Sequence, residues 1–182
     1  MATEIDLSLP SSLHTPFIVA LITERPGALA ILSRNTGPDR CSWNRVVRLT
    51  PPRRGKRFSR NTETGRVLHT LHADGLLGQV LINLPEKYGV PRDGDEVDDP
   101  DILHLTRTLE RMGVQAMLTV TPLWRPCFDA PHGTGTLASS MAAYLPAGLR
   151  GTPHEEAQCA DALLLAMFAG ESGDCMPPYR PH

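Results

Sequence analysis

Two stretches with helical periodicity each run directly into a short apolar segment, and this order restricts the chain to sheets flanked by helices. In "TETGRVLHTLHADGLLG" (62–78) Val67, Leu68, Leu71 and Leu76 recur at helical spacing, and "QVLINL" (79–84) follows with the look of a buried strand. "DDPDILHLTRTLERMG" (98–113) carries its own boundaries, with Asp99 as N-cap, Pro100 in the first position and Gly113 at the end, and it leads into the buried strand "VQAMLTV" (114–120). Ahead of these lie "FIVALIT" (17–23) and "ALAILSR" (28–34), a hairpin across a Pro-Gly turn, then "NRVVRLT" (44–50), a third strand closed by Pro51 and Pro52. Helices over 135–145 and 154–170 complete the order. Three meandering strands followed by alternating helices and strands predict an α/β mixed sheet flanked by helices, spanning 17–170 between an N-terminal extension (1–16) and an irregular tail (171–182).

The 182 residues suit one domain, and a core of Leu, Val, Ile and Ala is implied by 5% aromatic content. No apolar run approaches the length of a membrane span, and "MATEIDLSLPSS" has neither the basic start nor the apolar stretch of a signal peptide, so the chain reads as cytoplasmic. Cys41, Cys127, Cys159 and Cys175 form no C-x-x-C pair, so reduced thiols are expected. The net charge of −2 conceals a segregation: ten of the eighteen Lys and Arg residues lie between Arg34 and Arg66, against only Asp39 and Glu63, while acids gather in 86–101. A basic block of this kind is the electrostatic footprint of a nucleic-acid binder, or else a solvated loop.

Within "HEEAQCADALLLAMFAG" (154–170), Asp161 falls between Phe168 and Leu165 on the apolar stripe of an amphipathic helix. A carboxylate in such a place is paired, protonated or holding a cation, because leaving it bare costs several kcal/mol.

Four stretches together resemble RuvC-type Holliday-junction resolvases. "RPGALAIL" (25–32) resembles the family's opening hairpin, and "DILHLTRTLERMGVQAMLTVTPLWR" (101–125) is similar to its helix, Gly-Val and strand, followed by Pro, Trp and a basic residue, here Arg125. "GTLASSMAAYLP" (135–146) resembles the helix before the last one, and "ADALLLAMFAG" (160–170) looks like the closing acidic helix. The resemblance implies an RNase H-like fold, a homodimer that cuts branched DNA, and carboxylates holding two Mg²⁺ ions. On that pattern Asp161 matches outright. The family's first-strand Asp falls at about Ile22, with Glu24 on the same strand face roughly 6.6 Å further along. The Glu ending the fourth strand is replaced by Asn83, with Glu86 three residues on. The acid or His one turn before Asp161 is replaced by Ala157 and Gln158, with His154, Glu155 and Glu156 further back.

Three readings follow. In the first, the chain binds branched or structured DNA with its nuclease weakened or lost; Arg53, Arg54, Lys56, Arg57, Arg60 and Arg125 contact phosphates, and Phe58 is available for stacking. In the second it is an active Mg²⁺-dependent endonuclease with Asp161, Glu24, Glu86 and Glu156 as catalytic residues, the first three holding metal. In the third the scaffold is a protein-interaction module and the Arg-rich segment pairs with the acidic stretch 93–101. Weaker motifs are His69, His72 and Asp74, at metal-ligand spacing but read as polar surface residues, and "HGTGT" (132–136), an anion seat before a helix. His104-x-Thr106 and His132-x-Thr134 mimic the paired motifs of 2H phosphodiesterases, although His104 falls within a helix.

Overall fold

The computed structural model describes residues 17–33, 44–49, 58–89, 97–127 and 151–171. The helix expected over 135–145, "HGTGT", and Arg53, Arg54, Lys56 and Arg57 lie outside them. Strands β1 (Phe17–Ile22), β2 (Ala28–Ser33), β3 (Asn44–Arg48), β4 (Leu77–Leu84) and β5 (Gln115–Val120) form one sheet in the order β3-β2-β1-β4-β5. The first three pair antiparallel, whereas β4 lies parallel to β1 and β5 parallel to β4, which is the mixed sheet that the element order predicts. All six residues of β1 are buried, as an interior strand covered on both faces requires.

Strand alternation sends the side chains to two cores. Phe17, Val19, Leu21, Val80 and Ile82 meet helices α1 (Glu63–Ala73) and α2 (Pro100–Arg111) on one face. Ile18, Ala20, Ile22, Ala28 and Ala30 meet helix α4 (Pro153–Glu171) on the other. Small residues line this second contact from both sides, with Ala160, Ala162, Ala166 and Ala169 on the helix, so backbone and sheet approach closely. Burial wraps most of the circumference of α4 between Gln158 and Ala169, more than the single stripe expected from the sequence. A short helix α3 (Thr121–Trp124) follows β5 and passes into a 3₁₀ turn, Arg125–Cys127. No helix among the described residues is long and apolar enough to cross a membrane.

Helices α1 and α2 deliver the chain into their strands by the same device. Gly75 (φ 67°) and Gly113 (φ 69°) take the left-handed conformation past each helix end, and the next residue, Leu76 or Val114, donates its N–H back to Leu71 or Leu109. Leu76 therefore belongs to the exit from α1 and not to the helix, and β4 begins at Leu77, two residues earlier than its periodicity suggests. The Arg25–Pro26 peptide bond in the β1–β2 turn is cis.

Phe58 is 3% exposed and belongs to the same core cluster as Val67 and Leu71, so its ring does not offer the stacking surface expected of it. It enters just before a tight turn in which Thr62 caps α1, accepting from Gly65 N–H at 3.2 Å and donating to the Ser59 carbonyl at 2.7 Å. A Cβ on Gly65 would land on that same Ser59 carbonyl oxygen. Gly65→Ala is expected to lower stability by about 1–3 kcal/mol despite alanine's higher helix propensity, read as a drop in the urea midpoint.

Candidate functional site

Strands β1 and β4 end side by side, with Ile22 opposite Asn83 in the parallel register. Beyond the last β1 residue, Thr23 donates to the Asn83 carbonyl from both its backbone N–H (3.2 Å) and its hydroxyl (2.7 Å). The Asn83 side chain is 5% exposed and is engaged at both ends. Its Oδ1 accepts from Trp124 Nε1 at 2.8 Å, and its Nδ2 donates to Thr121 Oγ1 at 3.1 Å. Indole N–H can only donate, which fixes the orientation of the amide. This bond lets Trp124 be completely buried under α4, and the chain turns immediately after it to bring Arg125 to the same helix.

Asp161 meets that arginine. Arg125 donates from Nη2 to Asp161 Oδ1 at 3.0 Å, the two side chains being 30% and 16% exposed. The carboxylate on the apolar stripe is thus charge-paired, one of the three states its position allows. Arg125 Nε is buried and has no hydrogen-bond acceptor among the described residues.

One turn earlier on α4, Gln158 clasps the β1–β2 turn. Its Oε1 accepts from Gly27 N–H at 2.9 Å, and its Nε2 donates to the Glu24 carbonyl at 3.2 Å. His154 Nε2 lies 3.3 Å from the Arg25 carbonyl of the same turn. Glu155 is occupied at the start of the helix, where its carboxylate accepts from Thr152 N–H at 2.8 Å while Glu155 N–H donates to Thr152 Oγ1 at 3.3 Å. This reciprocal capping box, visible in the sequence as Thr152-x-x-Glu155, holds the Glu155 carboxyl below the usual glutamate range, chiefly through the Thr152 N–H. Glu156 accepts from Gly151 N–H at 3.0 Å. Arg48 lies 3.7 Å from Glu155, and burial pushes the neighbouring Cys159 thiol upward.

The remaining predicted acids point elsewhere: Glu24 is exposed in the β1–β2 turn, and Glu86 is exposed in the 3₁₀ turn Glu86–Tyr88. Among the described residues no group of three His, Cys, Asp or Glu side chains is placed to hold a metal ion, so Glu24, Glu86, Glu156 and Asp161 are not gathered. The donor set does not fit a two-Mg²⁺ centre, which depends on converging anionic oxygens: one carboxylate faces a guanidinium and the two amides are spent on protein partners. Of the expected phosphate contacts, Arg125 is drawn to Asp161 and Arg60 is exposed beside α1.

No protein-family model matches the sequence, and no curated protein does. Among solved structures, Thermus thermophilus RuvC is similar at a TM-score of 0.50 and 16% identity, covering 86% of this chain and 96% of that one. A second match, T. thermophilus RuvC in complex with Holliday junction substrate, has a TM-score of 0.49 and 14% identity over 87% and 94% of the two chains. The chain has the RuvC-like, RNase H-like mixed-sheet fold.

If Asn83 acts through the Trp124 indole, Asn83→Leu should cost roughly 1–3 kcal/mol, while adding Trp124→Phe should recover part of that loss because no donor is then left bare. Urea midpoints of the two single variants and the double variant check this; additive losses would show that the bond is not the reason for the asparagine.

Proposed function

We propose that this RuvC-like chain is a nucleic-acid-binding protein, acting as a homodimer on branched or structured DNA, in which nuclease activity has been weakened or lost. The observation that carries the reading is the Arg125–Asp161 pair: the acid that matches the resolvase pattern holds a guanidinium, at 3.0 Å. Ile22, Asn83 and Gln158 at the other three positions bring no negative charge, and a hard cation such as Mg²⁺ depends on that charge. Binding does not depend on those acids. The segregated basic block, with Arg53, Arg54, Lys56, Arg57 and Arg60, supports phosphate contact, which is sequence-independent and driven by counterion release. The fold and the four stretches that resemble resolvases supply the preference for branched DNA and the dimer.

The test is a labelled four-way junction incubated with the purified protein in Mg²⁺, Mn²⁺ or EDTA, scoring retardation and nicking on one sample. Retardation that is indifferent to EDTA, with no nicking, is expected. Metal-dependent nicking abolished by Asp161→Asn would overturn the loss of nuclease activity and make Asp161, Glu24, Glu86 and Glu156 candidates for a rebuilt site. Because Asp161→Asn also deprives Arg125 of its counter-charge, a loss of about 1–3 kcal/mol in stability is expected, and Arg125→Met in the same chain should restore most of it.

A further inference from the structure

Helix α1 turns Val67, Leu68 and Leu71 to the core and leaves Arg66, His69, Thr70 and Ala73 on its outer face, at the i, i+3, i+4 and i+7 spacing of a single stripe. Arg60 and Asn61, from the turn that precedes the helix, rise beside this stripe. Together with Asp74 at the far end, these residues line an open concavity of about 690 Å³. Its shape has a local cause: Thr70 and Ala73 are short and form a floor between longer side chains. Arg60 and Arg66 are exposed, and neither is ion-paired among the described residues. His69 is held below the ordinary histidine value, first by burial and then by the positive charges of Arg60 and His72.

We infer that this concavity on the outer face of α1 is a phosphodiester-binding site, in which Arg60 and Arg66 contact backbone phosphates while His69, Asn61 and Thr70 supply neutral hydrogen bonds. It rests on the nucleic-acid-binding reading and gives it a location. The site adjoins the Arg-rich segment that ends at Arg60, so the two form one basic track along the chain. It also lies on the α1–α2 side of the sheet, whereas Asp161 sits on α4 against the other side. Strand engagement on this surface is therefore independent of the state of the acids.

The experiment measures junction affinity against salt concentration for the full chain, for Arg60→Gln/Arg66→Gln, and for a charge-matched control, Arg107→Gln/Arg111→Gln, on the outer face of α2. Each lost phosphate contact lowers the salt slope by about one, so the first double variant should lose about two units of slope and at least about tenfold in affinity near 50 mM salt, with the control close to wild type. In the unaltered chain, a duplex oligonucleotide should shift the His69 ring resonances before those of His104. Wild-type binding with the two double variants affected alike, or neither affected, would overturn this placement and leave the binding reading standing. Absence of junction binding by the wild-type chain would overturn both. Both substituted proteins are expected to keep the wild-type unfolding midpoint, because these arginines are exposed.

Discussion

Strand β1 is bonded along both edges and covered on both faces, and the character of the neighbouring site follows from that. A charge placed in such a strand must bring its own partner or cost several kcal/mol. This chain places Ile22 at the strand end, and the position opposite it in β4 then has no cation to share. Asn83 is free to spend its carboxamide on Trp124, whose burial anchors the end of α3 and sets Arg125 beside α4. The arginine needs a counter-charge, and Asp161 supplies it. Each link depends on the one before, from a neutral strand end to a paired acid 139 positions later in the sequence.

Much of this architecture was legible because it is built from local rules. Asp99, Pro100 and Gly113 mark α2 by capping chemistry alone, and the apolar runs mark their strands. Leu76 misleads for a physical reason: the apolar residue after a left-handed glycine folds back on the last turn and so extends the helical spacing beyond the helix. Phe58 misleads because its neighbours in sequence are basic while its ring is buried in the apolar core cluster. At the site, the sequence narrowed Asp161 to three states but could not choose among them, since Arg125 is 36 residues away and meets it only through tertiary packing. Thr152-x-x-Glu155 could have been read as a helix start, with Glu155 occupied by its cap.

The two buried amides, Asn83 and Gln158, differ in how firmly they are held. Thr121 has a hydroxyl that can turn and donate, so a carboxylate at position 83 could still accept from both Trp124 and Thr121. Position 158 has no such freedom. Gln158 accepts from the Gly27 N–H with one end and donates to the Glu24 carbonyl with the other, and a carbonyl cannot become a donor. A carboxylate there would face the Glu24 oxygen with like polarity and loosen the turn that α4 clasps. The donor requirement at 158 thus ties the helix bearing Asp161 to the β1–β2 turn through a neutral group, and the acid on that helix is left with the guanidinium as its charged partner.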